Sequence, residues 1–164
     1  MISYQEMCRK EGLRLRRGMY YRPGKYSLVL VSPMAPYEDT WREEGRILLY
    51  QGHDAPKKGR DLDQPYRTKT GKLTQNGLFF EAVKAFKLGK RKAEVVKVYE
   101  KVATGIWRER GLFRLVDGWR ERKRGRVIFR FKLEKIANDS YAQRRKGALR
   151  VLKLQEGCEL RLRY

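Results

Sequence analysis

The one pairing of a base with an acid that invites a catalytic reading is His53 followed by Asp54. His53 is the single histidine of the 164-residue chain. One histidine cannot supply a multi-histidine nuclease metal site, and no cysteine stands near it to complete another ligand set. The two cysteines, Cys8 and Cys158, lie at opposite ends of the chain, form no CxxC pair, and read as reduced structural residues. Glu121-Arg122-Lys123 fits the Glu-x-Lys half of a nuclease metal motif. It falls in a charged segment between two strand patterns, without a second convincing carboxylate, and reads as a solvated turn. The expectation is a chain with no catalytic residue, no metal and no cofactor. His53 then serves as a hydrogen-bonding group at a pocket or against a phosphate.

Charge points to the partner. Lys and Arg number 40 against 19 Asp and Glu, for a net charge of +21. Such a field concentrates polyanions and favours nucleic acid or an anionic surface. A thermophile-type surface of ion-pair networks would need acids to match the bases, and they are missing. The cations fall into groups. Lys57, Lys58, Arg60, Arg67 and Lys69 sit on a long irregular stretch from Gly52 to Gly71, which also carries Gln64, and Lys72 follows it. A loop of that length inside a domain is usually functional or disordered, and its charge suits phosphates. Arg120, Arg122, Lys123, Arg124 and Arg126 surround a turn, where they either clamp a phosphate or are merely solvated. Gln75 and Asn76 open a helix pattern, where they either cap it or bond a phosphate or pocket.

The elements that position these residues follow from pattern. A helix is predicted near Tyr4 to Lys10, and a turn at Pro23-Gly24. Tyr26 to Val31 is rich in strand formers and reads as a buried strand; Arg46 to Tyr50 is a second, after a loop broken by Pro33 and Pro36. Thr74 to Lys87 reads as a helix with Thr74 as N-cap, Leu78, Ala82, Ala85 and Phe86 near one face, and Gly89 as its stop. Three strand-like segments follow, 93–102, 111–119 and 126–133, with turns at Gly105 and Gly125. Beyond residue 135 the chain is basic, with a helix pattern at Tyr141 to Lys146 and a strand pattern at Ala148 to Leu154. The apolar runs are far shorter than the roughly 20 residues of a membrane span, and no signal-peptide order opens the chain. No membrane partner is expected. The pattern is α+β: a twisted sheet or partly closed barrel with one main helix.

Three stretches, in this order, resemble the SRA (SET and RING-associated, or YDG) domain family, most of all the bacterial members found in modification-dependent restriction endonucleases. They are Tyr37-Glu38-Asp39 with Gly45 and Tyr50-Gln51-Gly52; Lys72-Leu73-Thr74-Gln75-Asn76-Gly77-Leu78; and the strands from Gly111 to Asp117 and from Val127 to Leu133. The resemblance covers about residues 18–135. It implies an SRA-like, PUA-like twisted crescent β-barrel with flanking helices, a DNA-binding domain over 1–135, and a basic extension over 136–164 packed on the same domain. It further implies that duplex DNA is bound and a modified cytosine, 5-methylcytosine or 5-hydroxymethylcytosine, is flipped into a pocket. Tyr37 and Tyr50 match the two rings that sandwich the base, and a carboxylate of the Tyr-Glu-Asp loop, Asp39 or alternatively Glu38, accepts the cytosine amine. Gly52, His53 and Asp54 complete the expected pocket. By residue type alone, Tyr37 and Tyr50 fit half-buried structural aromatics equally well, and Asp39 fits a turn after Pro36.

The chain departs from the family at two places. Glu109-Arg110-Gly111 replaces the Tyr-Asp-Gly signature, and residues 57–68 replace the Asn-Lys-Arg finger that fills the vacated stack. No nuclease domain is recognisable after residue 135, so either the nuclease is a separate protein or this chain is a reader alone or a fragment; the expected partner is modified duplex DNA, in a bacterial cytoplasm near the nucleoid. The rival readings are a nuclease with an unrecognised metal site and a PUA-like RNA-binding protein.

Overall fold

Hydroxyl side chains fix where both helices begin. The computed structural model describes residues 1–33, 38–56 and 61–137. Helix α1 (Tyr4–Glu11) opens on a capping box: Ser3 Oγ accepts the Glu6 N–H at 3.1 Å, and Glu6 Oε2 accepts the Ser3 N–H at 3.3 Å. These bonds satisfy donors that the first helical turn leaves open. Helix α2 (Gln75–Lys87) is capped by Thr74, whose Oγ1 accepts the Gly77 N–H at 3.1 Å, as the sequence predicts. Its buried face differs from the predicted one. Phe79, Ala82 and Val83 are buried, while Leu78 and Ala85 are only partly covered. The i, i+3, i+4 set that starts at Phe79 brings the ring to the sheet.

Eight strands are found among the described residues: β1 (Ile2–Ser3), β2 (Met19–Tyr20), β3 (Ser27–Val31), β4 (Thr40–Arg42), β5 (Ile47–Gln51), β6 (Glu94–Ala103), β7 (Ile106–Lys123) and β8 (Arg126–Lys135). They form one sheet in the order β2-β3-β6-β7-β8-β5-β4, with β1 on the start of β7. The β3–β6 pairing is parallel and the others are antiparallel. Among the described residues the hydrogen-bonded order ends at β2 and β4, so the sheet is twisted and incompletely closed, within the expectation of a twisted sheet or partly closed barrel. Bulges at Val98/Tyr99 and Leu115/Asp117 interrupt the ladders on both sides of β7, and bulges of this kind bend and twist a strand.

Strand β7 extends beyond its predicted span at both ends. Glu121, Arg122 and Lys123, expected in a turn, pair with Ile128, Val127 and Arg126. The hairpin here runs beyond the core. With both faces near water, the apolar alternation that marks a strand is lost while the backbone ladder continues. Strands β1, β2 and β4 escaped prediction because two or three residues show no periodicity.

The sheet is covered on both faces. Phe79, Ala82 and Val83 of α2 pack with Phe113, Phe129 and Phe131 and the valines of β3 and β6. On the opposite side Met7 of α1 joins Leu15, Leu28 and Tyr99. Double coverage explains the unbroken apolar run of β3. It also buries Lys97 of β6, a charged residue between Val96 and Val98. Lys97 lies 3.1 Å from Glu11 and 3.2 Å from Glu109. Glu11 further accepts hydrogen bonds from Tyr99 (2.6 Å), Tyr26 (2.8 Å) and Arg22 (3.0 Å).

Candidate functional site

The ends of β3 and β5 come together through one tyrosine. Tyr50 lies in β5 opposite Phe131 of β8, with its ring in the main core. Its hydroxyl donates to the carbonyls of Gly18 (3.0 Å) and Leu30 (3.3 Å), and the Leu30 N–H donates to the Gly18 carbonyl at 2.7 Å. The approach leaves no room for a side chain at residue 18: a Cβ there would stand 2.7 Å from the Tyr50 hydroxyl and 2.9 Å from His53 Cε1.

Asp39 enters the same junction. Its Oδ1 accepts the Gln51 N–H at 2.9 Å, and a backbone hydrogen bond from Ser32 joins it. Burial raises its pKa to about 7, although both hydrogen bonds and the charge of Arg130 act in the opposite direction. Burial also lowers the pKa of His53 to about 4; Asp54 opposes that shift and Arg17 adds to it. Near neutral pH, therefore, His53 is an uncharged imidazole and Asp39 lies in the middle of its titration. The neighbouring Glu38 faces outward, with its carboxylate on Lys123 and Arg124. Of the two carboxylates in the Tyr-Glu-Asp loop, Asp39 is the inward one.

Beneath this junction two amides hold the backbone. Asn76 Oδ1 accepts the His53 N–H at 2.8 Å, and its Nδ2 donates to the carbonyls of His53 (2.9 Å) and Pro65 (3.2 Å). Gln64 Nε2 donates to the Gly52 carbonyl (2.6 Å) and to Asp54 (3.1 Å), while its Oε1 accepts the Phe129 N–H (2.7 Å). Gly52 passes between them, where a Cβ would meet Asn76 Oδ1 at 2.6 Å. Gln64, on the long basic stretch, and Asn76, read as either a cap or a contact to phosphate or pocket, are 4% and 1% exposed, with both ends of each amide bonded inside the protein. Gln75 uses its side-chain carbonyl to hold the Tyr21 N–H at 2.7 Å. Asp54 is paired with Arg126 at 2.7 Å, and its charge also acts on His53. Glu121 meets Arg130 at 3.5 Å. Among the described residues no three His, Cys, Asp or Glu side chains converge as a metal site requires.

The cations form an outer rim. Arg67, Lys69 and Lys72 are exposed on a turn closed by the Thr68 N–H and the Lys72 carbonyl at 2.7 Å. Arg122 and Arg124 are exposed at the end of the β7–β8 hairpin. Arg120 instead stacks over Tyr66, Phe80 and Phe129, 5.5–5.9 Å from their ring centres. A cleft of about 50 Å³, open to solvent, is lined by Glu38, Gln51, Lys123, Arg124, Arg126 and Ile128. Tyr37, Lys57, Lys58 and Arg60 lie outside the described residues. So do Cys158 and the elements predicted at Tyr141 to Lys146 and Ala148 to Leu154. Gly18 and Ser32 were missed in the sequence, where a lone glycine or serine beside basic or apolar residues gives no signal.

No protein-family model matches the chain, and no curated protein does. Solved structures do. An SRA domain of SUVH5 in complex with hemi-methylated CG DNA is 20% identical, with a TM-score of 0.59 over 84% of this chain and 86% of that one. The SUVH5 SRA domain bound to fully hydroxymethylated CG DNA is 18% identical, also with a TM-score of 0.59, over 84% and 87%. Arabidopsis thaliana SUVH6 in complex with SAM is 18% identical, with a TM-score of 0.52, over 84% of this chain and 25% of the longer one. The chain has the fold of an SRA domain, as its sequence pattern led one to expect.

Proposed function

We propose that this chain binds duplex DNA containing a modified cytosine and draws that base out of the stack into the junction of β3 and β5. The observation that carries the reading is Asp39: a half-buried carboxylate, fixed by backbone donors, in a fold shared with SRA domains solved on methylated and hydroxymethylated DNA. Extruding a base costs a few kcal/mol. Stacking it on aromatic faces returns about 1–3 kcal/mol. Tyr50 supplies one ring, and Tyr37 is the second in this reading. The Asp39 carboxylate accepts the exocyclic amine, which separates cytosine from thymine because a carbonyl there would leave the acid unpaired. His53, uncharged, and the Gly18 and Gly52 backbones lie beside this junction. Arg67, Lys69, Lys72, Arg122 and Arg124 meet phosphates, and Lys57, Lys58 and Arg60 belong to the same rim in this reading.

The protein acts here as a reader without a chemical step of its own, serving a modification-dependent restriction or DNA-processing system whose nuclease is a separate protein, in the bacterial cytoplasm at the nucleoid. Among the described residues no helix is long and apolar enough to cross a membrane.

The test is binding to matched duplexes that differ at a single cytosine, unmodified, methylated or hydroxymethylated, at about 0.15 M salt. A preference for a modified duplex that Asp39→Ala abolishes supports the reading. Equal binding to all three, unaltered by Asp39→Ala, sinks it. Tyr50→Phe is the better partner variant than Tyr50→Ala, since removing the ring would open the core at a cost of about 3–5 kcal/mol.

A further inference from the structure

Glu38 is pinned at both ends of its peptide unit. Its N–H donates to Gln51 Oε1 at 3.2 Å, and its carbonyl accepts from Arg130 at 2.9 Å. From that fixed position its side chain reaches the tip of the β7–β8 hairpin, where the carboxylate pairs with Lys123 and lies 3.7 Å from Arg124. Two cations thus converge on one anionic group at the mouth of an open cleft that Arg126 also lines. Convergent cations around a carboxylate are the same arrangement that holds a phosphate oxygen. The pair is partly exposed, with side-chain accessibilities of 37% for Lys123, 84% for Arg124 and 43% for Glu38, so a competing anion can reach it.

We infer that Lys123 and Arg124 form a binding site for one backbone phosphate of nucleic acid, and that Glu38 occupies this site in the free protein as an internal phosphate mimic. Arrival of DNA exchanges the carboxylate for the phosphate. Glu38 therefore restrains binding from within the residue next to Asp39. A phosphate contact carries no base information, so the restraint acts alike on modified and unmodified duplexes. The inference rests on the proposed DNA-binding function but not on base flipping.

The experiment measures the affinity of the whole chain for a methylated and an unmodified duplex over a series of salt concentrations. It compares wild type, Glu38→Gln, the pair Lys123→Gln with Arg124→Gln, and the triple variant; Glu44→Gln, an exposed acid on the 3-10 turn Glu43–Gly45, controls for net charge. Glu38→Gln is expected to tighten both duplexes by about two- to fivefold, the scale of an exposed ion pair, leaving their ratio unchanged. Its salt slope is expected to steepen by up to about one, because the freed cations then neutralise a phosphate without releasing an acid. In the triple variant the gain is expected to vanish. No tightening by Glu38→Gln overturns the inference. So does an equal gain from Glu44→Gln, or a gain that persists without Lys123 and Arg124, since both would mark a bulk charge effect. A wild type that ignores methylation, yet tightens on both duplexes in Glu38→Gln and not in the triple variant, would refute the flipped-base reading and leave this site standing.

Discussion

Two regions of this sheet bury charge, and they treat it in opposite ways. Behind β6, beneath α1, burial works to raise the pKa of Glu11, but hydrogen bonds from Tyr99, Tyr26, Arg22 and Lys97 outweigh it and hold the acid at about 2. Lys97 is likewise held well above its usual range: burial opposes that shift, and Glu11 and Glu109 overcome it. At the ends of β3 and β5, burial prevails. Asp39 is raised to about 7 and His53 lowered to about 4. The first region resembles a finished lattice, in which each ion has its partners within the protein. The second holds its ionisable groups towards their neutral forms, a shift of the kind that accompanies functional sites as well as structural networks.

The sharpest way to break the contrast is at Glu11, whose side chain is fully buried. Glu11→Ala leaves Lys97 without its buried partner and is expected to cost about 3–5 kcal/mol of stability, read by urea denaturation, while the folded fraction keeps its preference among duplexes. A loss of preference with intact folding would show that this cluster belongs to the site. Next in size is Asp39→Ala, which is expected to lose about 1–3 kcal/mol of binding to the modified duplex, read by titration, with a much smaller effect on the unmodified one.

Acid titration separates the regions by sign. Glu11 has a folded pKa of about 2 against an ordinary 4.5, so its contribution is complete above 4.5 and is lost as the pH falls towards 2. His53, at about 4 against 6.5, contributes fully above 6.5 and loses that contribution as the pH falls through 4. Asp39 runs the other way. Its protonated form favours folding below 3.8, and this stability is lost as the pH rises through about 7. Wild type compared with Asp39→Asn should therefore lose relative stability between pH 4 and 7, and compared with Glu11→Gln should lose it only below 4.5. Because the carboxylate form accepts the amine, affinity for the modified duplex should fall as the pH drops below about 7 and become flat in Asp39→Asn, measured by titration in matched salt. The smallest expected effect is at the rim: Arg122→Gln should lower the salt slope by about 0.9 for one lost phosphate contact, equally for all duplexes.

Much of the frame was legible because its signals are local. Thr74 announces the start of α2, Gly105 and Gly125 the hairpin turns, and the Tyr26 to Val31 run a buried strand. The resemblance to SRA domains pointed to Tyr50 and to Asp39 or alternatively Glu38 before any contact was visible. Other roles were misread for one reason: polarity in the sequence was equated with exposure. Gln64 and Asn76 are polar, yet they are buried because they bond the backbone groups of Gly52, His53, Pro65 and Phe129. Lys97 is charged, yet α1 covers it.

The sequence alone therefore determined the element types, the strongly basic character and the candidate residues, since propensity, capping and net charge depend on residues near one another or on sums over the chain. Only the tertiary structure decided that Asp39 faces inward while Glu38 faces the hairpin tip, and that Gly18 closes against Tyr50. Those outcomes depend on which strands meet across long separations. Burial, which shifts a pKa or excludes a Cβ, is a property of that meeting and not of any residue alone.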